Sequence, residues 1–215
     1  MNWKKKNYIS KKLAMKKFLL SFILISYFSF SQVSDYHGFM NFSYNDDSGK
    51  IILEIDNLDT EFLYINSLSR GVGNNDLGLD RGQLGNSRIV YFTKRGNKIL
   101  LIQPNLRYIS TSSNNLENKA VEEAFARSVL FGFEIIEKSE DSYKVDLTPF
   151  LINDAHGVSL RLKYLKSGSY TLNKSMSAID LERTKSFPEN IEFDVLLTFT
   201  GNPSGNLVRS VTPTS

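Results

Sequence analysis

Arg88-Ile-Val-Tyr-Phe-Thr-Lys-Arg-Gly-Asn-Lys-Ile-Leu-Leu-Ile-Gln103 decides the fold. Two arms, residues 88–94 and 98–103, flank Arg95-Gly-Asn97, a turn of the kind that closes a β-hairpin. Each arm is almost continuously apolar over Ile89-Val-Tyr-Phe92 and Ile99-Leu-Leu-Ile102. Such runs read as strands buried on both faces rather than as an open edge. Pro104 ends the second arm.

The same grammar repeats outward. Residues 40–44 and 51–55 flank the turn Asn45-Asp-Asp-Ser-Gly49, and 61–65 is a further apolar run. Downstream, 133–137 and 143–147 surround Lys138-Ser-Glu-Asp-Ser142, and a short helical turn is expected over 147–153. Residues 158–164 and 169–172 read as strands around Leu165-Lys-Ser-Gly168. Residues 191–200 form a patterned strand, with Ile191, Phe193, Val195 and Leu197 against Glu192 and Asp194, and 207–211 a last short one.

One segment breaks the pattern. Val121, Phe125, Ser128 and Val129 share a helical face, Ser112-Ser-Asn-Asn-Leu116 supplies capping residues, and Gly132 stands where a left-handed terminator would. The spacing predicts a helix over about 118–131. The expected class is α+β: predominantly antiparallel β-sheet with hairpins and one main α-helix packed on the sheet.

Composition narrows the chemistry. The 215 residues include no cysteine and two histidines, His37 and His156. Thiolate nucleophiles, disulfides, thiolate zinc sites and a three-histidine zinc site are therefore excluded. Seven lysines lie in residues 1–31, which hold no acid; without them the 26 basic residues become 19 against 23 acidic, a balance of −4. That balance argues against nucleic acid as a partner. Residues 1–31 read as a secretory signal peptide: Lys16-Lys17, an apolar run over 18–30, and Ser29-Phe-Ser31 before Gln32. The run falls short of the ~20 residues that span a bilayer, so no membrane anchor is expected after cleavage. Met15 opens the more conventional version of this leader. The implied destination is periplasmic or extracellular, with 32–215 a single β-rich domain.

Between the third apolar run and the opening hairpin lies Arg70-Gly-Val-Gly-Asn-Asn-Asp-Leu-Gly-Leu-Asp-Arg-Gly-Gln-Leu-Gly85, with five of the chain's 13 glycines. Asp76 stands where a dinucleotide fingerprint needs its third glycine, and no Gly-Lys-Ser/Thr follows. Asp76 and Asp80 lack EF-hand spacing. The loop reads as structural: glycines permit a tight path, while Asp80 and Arg81 satisfy loop backbone groups or pair across an interface. Asp154-Ala-His-Gly157 reads as a polar turn, because no Gly-x-Ser-x-Gly accompanies it. Glu182, Glu189, Glu192 and Asp194 would suit a glycosidase pair, yet three of the four read as a strand's solvated face. No catalytic, cofactor or metal residue is assigned. The candidate interface or structural residues are Gly71, Gly73, Asp76, Asp80, Arg81, Gly82, Phe187 and Pro188.

An ordered set of words carries a resemblance: Gly71-Val-Gly-Asn-Asn-Asp-Leu-Gly-Leu-Asp-Arg-Gly-Gln83, Leu100-Leu-Ile-Gln-Pro-Asn105, Ala124-Phe-Ala-Arg-Ser-Val-Leu-Phe-Gly-Phe133, Val145-Asp-Leu147, Asp154-Ala-His-Gly157 and Thr184-Lys-Ser-Phe-Pro-Glu-Asn190. Together they resemble the N-terminal domain of unknown function of large secreted bacterial zinc-dependent metalloproteases. The resemblance implies a non-catalytic module that precedes a catalytic domain bearing His-Glu-x-x-His, with that domain as partner in cis or in trans. Zinc is expected only in the catalytic domain, whose motif this sequence does not contain, and the chain alone is expected to be inactive. The expectation is a truncated, split or stand-alone module that exposes an apolar patch near the glycine-rich loop and residues 184–190. The rival expectation is a free-standing envelope or secreted binding module.

Overall fold

Every strand pair among the described residues is antiparallel, and the opening hairpin sits inside the largest sheet. The computed structural model describes residues 32–209; the leader expected over 1–31 and the end of the strand expected over 207–211 lie outside the described residues. From Val33 on, these residues form one compact unit.

Eight strands make the main sheet: β1 (Val33–Tyr36), β2 (Phe42–Asn45), β3 (Lys50–Ile55), β4 (Phe62–Tyr64), β5 (Arg88–Arg95), β6 (Lys98–Gln103), β7 (Ser128–Lys138) and β8 (Tyr143–Asp146). Their order is β1-β2-β3-β8-β7-β6-β5-β4. Turn chemistry fixes the hairpins. Asn45 Oδ1 accepts from the Ser48 N–H at 2.9 Å, and Gly49 turns at φ +64°. At the β5–β6 turn Arg95 pairs Lys98, with Gly96 at φ +59°, as a two-residue turn led by glycine asks.

One face of this sheet holds the core. Phe42 stands opposite Leu53, Leu53 opposite Val145, and Val145 opposite Ile135; farther on, Phe131, Leu101 and Phe92 continue the row. Ile51, Val90, Ile99 and Val145 are fully buried there, and each such side chain contributes roughly 1.5–3 kcal/mol. The sheet curls around this core. Phe39, between β1 and β2, comes within 6.3 Å (ring centroids) of Phe62 on the opposite edge strand.

Two ribbons complete the unit. β9 (Gly168–Leu172) pairs β12 (Phe199–Pro203), and β10 (Ala178–Ser186) pairs β11 (Ile191–Leu196). The β10–β11 ribbon packs Ile179, Ile191 and Phe193 on the main core, with the Phe193 and Phe42 rings 5.0 Å apart. Short helices fill the links: α1 (Asn115–Ala124), α2 (Thr148–Leu151), α3 (Val158–Tyr164) and α4 (Gly205–Arg209).

The result is a β-rich fold with a curled antiparallel sheet and few helices, and α+β with one main helix fits it loosely. Five expectations are corrected. The helix begins where its caps are, with Asn114 Oδ1 accepting from the Leu116 N–H, but stops at Ala124 and buries no residue. Residues 128–138 are strand instead. Val129, Phe131 and Phe133 alternate against Ile102, Leu101 and Ile99, and that period of two overrides the helical spacing of Val121, Phe125 and Val129. Gly132 terminates nothing; it sits mid-strand opposite Leu100.

Residues 158–164 are helix, not strand. The Asp154 carboxylate accepts from Val158 and Ser159 N–H at 2.7 and 2.9 Å, capping the first turn. Val158 and Leu162, four apart, turn inward. The expected strand 191–200 divides into β11 and β12, which pair with different partners. Of the last expected strand, residues 207–209 belong to α4, whose Val208 is buried.

Candidate functional site

Residues 66–85 form an Ω-shaped loop with a closed neck. Gly85 N–H donates to Asn66 O, Leu68 N–H to Gln83 O and Gly82 N–H to Leu68 O, at 2.7–3.0 Å. Ser67 stands directly across from Leu84. The glycines earn their place at two points. A Cβ on Gly85 would stand 2.4 Å from Asn66 Oδ1, and one on Gly71 would stand 3.0 Å from the Arg81 N.

The body of the loop is part of a second core. Leu77 and Leu79 are buried against Val158, Leu162 and Val208, with Val72, Tyr170 and Phe199 around them. Asn74 caps the short 3-10 turn Asn75–Leu77, and its Nδ2 donates to Leu207 O at 3.1 Å. Arg161 on α3 reaches across, its Nε donating to Leu77 O at 2.8 Å.

A histidine spans the neck. Asn66 Nδ2 donates to His156 Nδ1 at 3.1 Å, and His156 Nε2 donates to Gln83 Oε1 at 3.3 Å. Asp154, two residues away, is engaged with the α3 backbone and not with this ring. The polar-turn reading of 154–157 therefore takes a specific form: Asp154 caps a helix, and His156 ties two strands of loop.

The predicted residues divide accordingly. Gly71, Gly73, Asp76, Asp80, Arg81 and Gly82 are exposed, and backbone hydrogen bonds close the loop. Phe187 and Pro188 lie on another element, at the tip of the β10–β11 ribbon. There they line an open depression of about 490 Å³ with Glu189, Asn190 and Glu192. The Phe187 carbonyl accepts from Phe39 N–H at 2.7 Å, and Ser186 Oγ donates to Met40 O at 2.9 Å, so the tip is pinned to the β1–β2 turn.

What joins loop and ribbon is the root of the loop. Ser69 Oγ donates to Asp194 Oδ1 at 2.9 Å, and Arg70 pairs Asp180 at 3.5 Å. Asp180 and Asp194 face each other across the ribbon. Asp194, expected on a solvated face, is thus largely covered, while Glu182, Glu189 and Glu192 are exposed. Between Asp180 and Lys185 the register slips. Fully buried Thr184 pins the slip, donating to Asp180 O and accepting from Asp194 N–H.

The electrostatics are structural in character. Burial pushes the Tyr64 hydroxyl up, against the opposing charge of Arg88. Arg127 is raised chiefly by its hydrogen bond to the Tyr91 hydroxyl. Among the described residues no group of three His, Cys, Asp or Glu side chains is placed to hold a metal ion.

Sequence reasoning missed Asn66, Gln83 and Arg161, whose partners lie 84–90 residues away for Asn66 and Arg161 and 73 for Gln83. One local signal was present: an acid at 154 just ahead of the apolar spacing Val158/Leu162 marks a helix start. The family described as Domain of unknown function (DUF5117) matches residues 82–214. Neither a curated protein nor a solved structure matches the chain.

Proposed function

The chain belongs to the DUF5117 family, and from that premise we propose that it is a non-catalytic accessory module of an exported zinc-dependent metalloprotease, packing against and supporting a separate catalytic domain. Export rests on the leader read in residues 1–31, and the protease connection on the ordered words from Gly71 to Asn190.

One observation carries the reading. Between β6 and β7 the chain leaves the sheet, and this excursion shows Leu106, Tyr108, Ile109 and Leu116 to solvent at 47–77% exposure. Tyr108 stacks on Phe125 with centroids 4.1 Å apart, and Arg107 lies 5.5 Å from the Tyr108 ring centroid. Scattered apolar residues are ordinary on a surface; this density within one short segment suits a contact surface. A rigid aromatic pair flanked by an arginine is the composition that anchors interfaces. The apolar patch was expected near the glycine-rich loop and residues 184–190; Leu77 and Leu79 of that loop face inward while Leu84 and Phe187 are exposed singly, and the denser cluster is on this excursion.

The test uses the full chain and a separately produced domain carrying His-Glu-x-x-His. The two should bind, and Ile109→Asp with Leu116→Asp should abolish binding without unfolding the chain. The chain alone with added zinc should cleave no casein; cleavage that a chelator abolishes would overturn the reading. An intact chain that ignores the catalytic domain would instead favour a free-standing envelope or secreted binding module, with the depression at Phe187–Glu192 as its first candidate surface.

A further inference from the structure

The inner face of the main sheet ends in a polar row. Tyr64 on β4 stands opposite Arg88 on β5, and Gln103 on β6 stands opposite Ser128 on β7. Arg88 Nη1 joins the two pairs, donating to Gln103 Oε1 at 2.8 Å. Directly opposite residues share a face and side chains alternate along a strand. The row therefore lies one step beyond Phe62, Val90 and Leu101 of the main core. Partly buried rings back it: Phe150 is 5.5 Å from Tyr64 and 5.6 Å from Phe131, centroid to centroid.

Coverage and pairing are inverted at Arg88. The exposed Arg70, Arg127 and Arg183 each meet a carboxylate, of Asp180, Glu122 and Asp194. Arg88 is more covered than these, yet among the described residues no carboxylate pairs it, and its partner is a neutral amide. The other partly buried arginine, Arg161, is engaged with the Leu77 carbonyl. Among the described residues the Tyr64 hydroxyl also has no hydrogen-bond partner, though it lies near enough for the Arg88 charge to oppose the effect of its burial. A covered charge is costly without a charged partner. An arginine that only shielded the core with its stem would keep its head in water.

We propose that Arg88, Tyr64 and Gln103 form a binding site for a carboxylate carried beside an apolar group, as at a peptide C-terminus or on an acidic side chain. The guanidinium keeps Nε and Nη2 for the two carboxylate oxygens, with the Tyr64 hydroxyl and the Gln103 amide N–H as further donors. One guanidinium balances one negative charge, which selects a carboxylate over a phosphate dianion. Small carboxylates test the site on the chain alone, so this inference and the accessory role stand or fall independently.

Nuclear magnetic resonance of the full chain, titrated with N-acetylphenylalanine, reads the outcome at the Arg88 Nε–H and the Gln103 side-chain amide. Saturable shifts in the millimolar range are expected there, and they should be absent with the primary amide of the same compound and weaker with inorganic phosphate. N-acetylglutamate α-amide, titrated in parallel, assigns the preferred source: tighter binding of it means a side-chain carboxylate, and weaker binding a chain terminus. Arg88→Met should weaken binding by about tenfold or more, Arg88→Lys should lose part of it with the planar fork, and Tyr64→Phe should cost several-fold. Gln103→Glu supplies a carboxylate from within: it should raise the urea midpoint and abolish binding, which a merely structural row would not do. Far-ultraviolet circular dichroism checks each fold, and Tyr64→Phe and Gln103→Glu carry the test if Arg88→Met unfolds. No shift at Arg88 and Gln103, equal binding of the amide or of phosphate, or binding indifferent to Tyr64→Phe and Gln103→Glu overturns the inference.

Discussion

Arg161 lies across Gly78. Its Nε donates to the Leu77 carbonyl at 2.8 Å, and a Cβ on Gly78 would stand 2.6 Å from its Nη2. Gly78 itself holds φ +60°, ψ 41°, the left-handed conformation that side chains resist. One glycine therefore meets two demands, a backbone shape and a close approach.

Gly78→Ala should destabilise the chain by about 1–3 kcal/mol, the range of a non-glycine residue held in this region plus a crowded neighbour. Urea unfolding measures it. In an Arg161→Ala background the contact is relieved and the φ penalty remains, so the second alanine should cost less there. Equal costs in both backgrounds would show that the guanidinium moves aside freely.

The pattern of what was legible follows from the range of the forces. Turns such as Asn45–Gly49 and Arg95–Lys98 are set by groups within a few residues of each other, and the sequence alone located those hairpins. The glycine-rich loop's tight path was readable from glycine density. Its inner side was not, because Leu77 and Leu79 are buried by Val158, Leu162 and Val208, far along the chain. Residues 158–164 failed for a subtler reason. Val158, Leu160, Leu162 and Tyr164 alternate like a strand, yet Leu160 and Tyr164 end up exposed, and the Asp154 cap settles the helix. Residues 128–133 failed in the opposite sense, since pairing with β6 won over helical spacing.

His156 should matter to the loop's neck. His156→Ala leaves the Asn66 amide and the Gln83 carbonyl without their bridge, at a cost of about 1 kcal/mol. Amide exchange should accelerate at Leu68, Gly82 and Gly85, whose N–H groups close the neck, while the β5–β6 amides keep their protection. Uniform acceleration across both regions would mean that the ring supports the whole fold instead.

Gly38 governs how the β10–β11 ribbon docks. A Cβ there would stand 2.5 Å from Ser186 Oγ and 2.6 Å from the Phe187 carbonyl oxygen. The hydroxyl can rotate away; the backbone oxygen cannot, since it accepts from Phe39 N–H. Gly38→Ala should cost about 1–3 kcal/mol, and adding Ser186→Ala should restore only part of it. Chemical shifts at Phe187 and Phe39 should move together. A neutral Gly38→Ala would show that the tip rides loosely on the β1–β2 turn.

Asp146 sets a pH dependence with a definite sign. It closes β8, where its carboxylate accepts from Thr148 N–H at 3.0 Å and pairs Lys50 at 3.0 Å. Burial alone would raise its carboxyl; hydrogen bonds from Thr148 and Lys50, with the Lys50 charge, outweigh burial and hold it below the ordinary range. A carboxyl lowered in the folded state is protonated more readily once unfolded, so unfolding takes up a proton in the window between the two values. Its contribution is complete above the ordinary carboxylate range, near pH 4, and disappears as pH falls through the lowered folded value. Asp146→Asn should therefore be less stable than the native chain at neutral pH, and the gap should narrow on acidification. Urea midpoints for both chains, from about pH 7 to about pH 2, test this. A gap that widens toward acid would mean that burial dominates and that the Lys50 and Thr148 partners do not hold the charge.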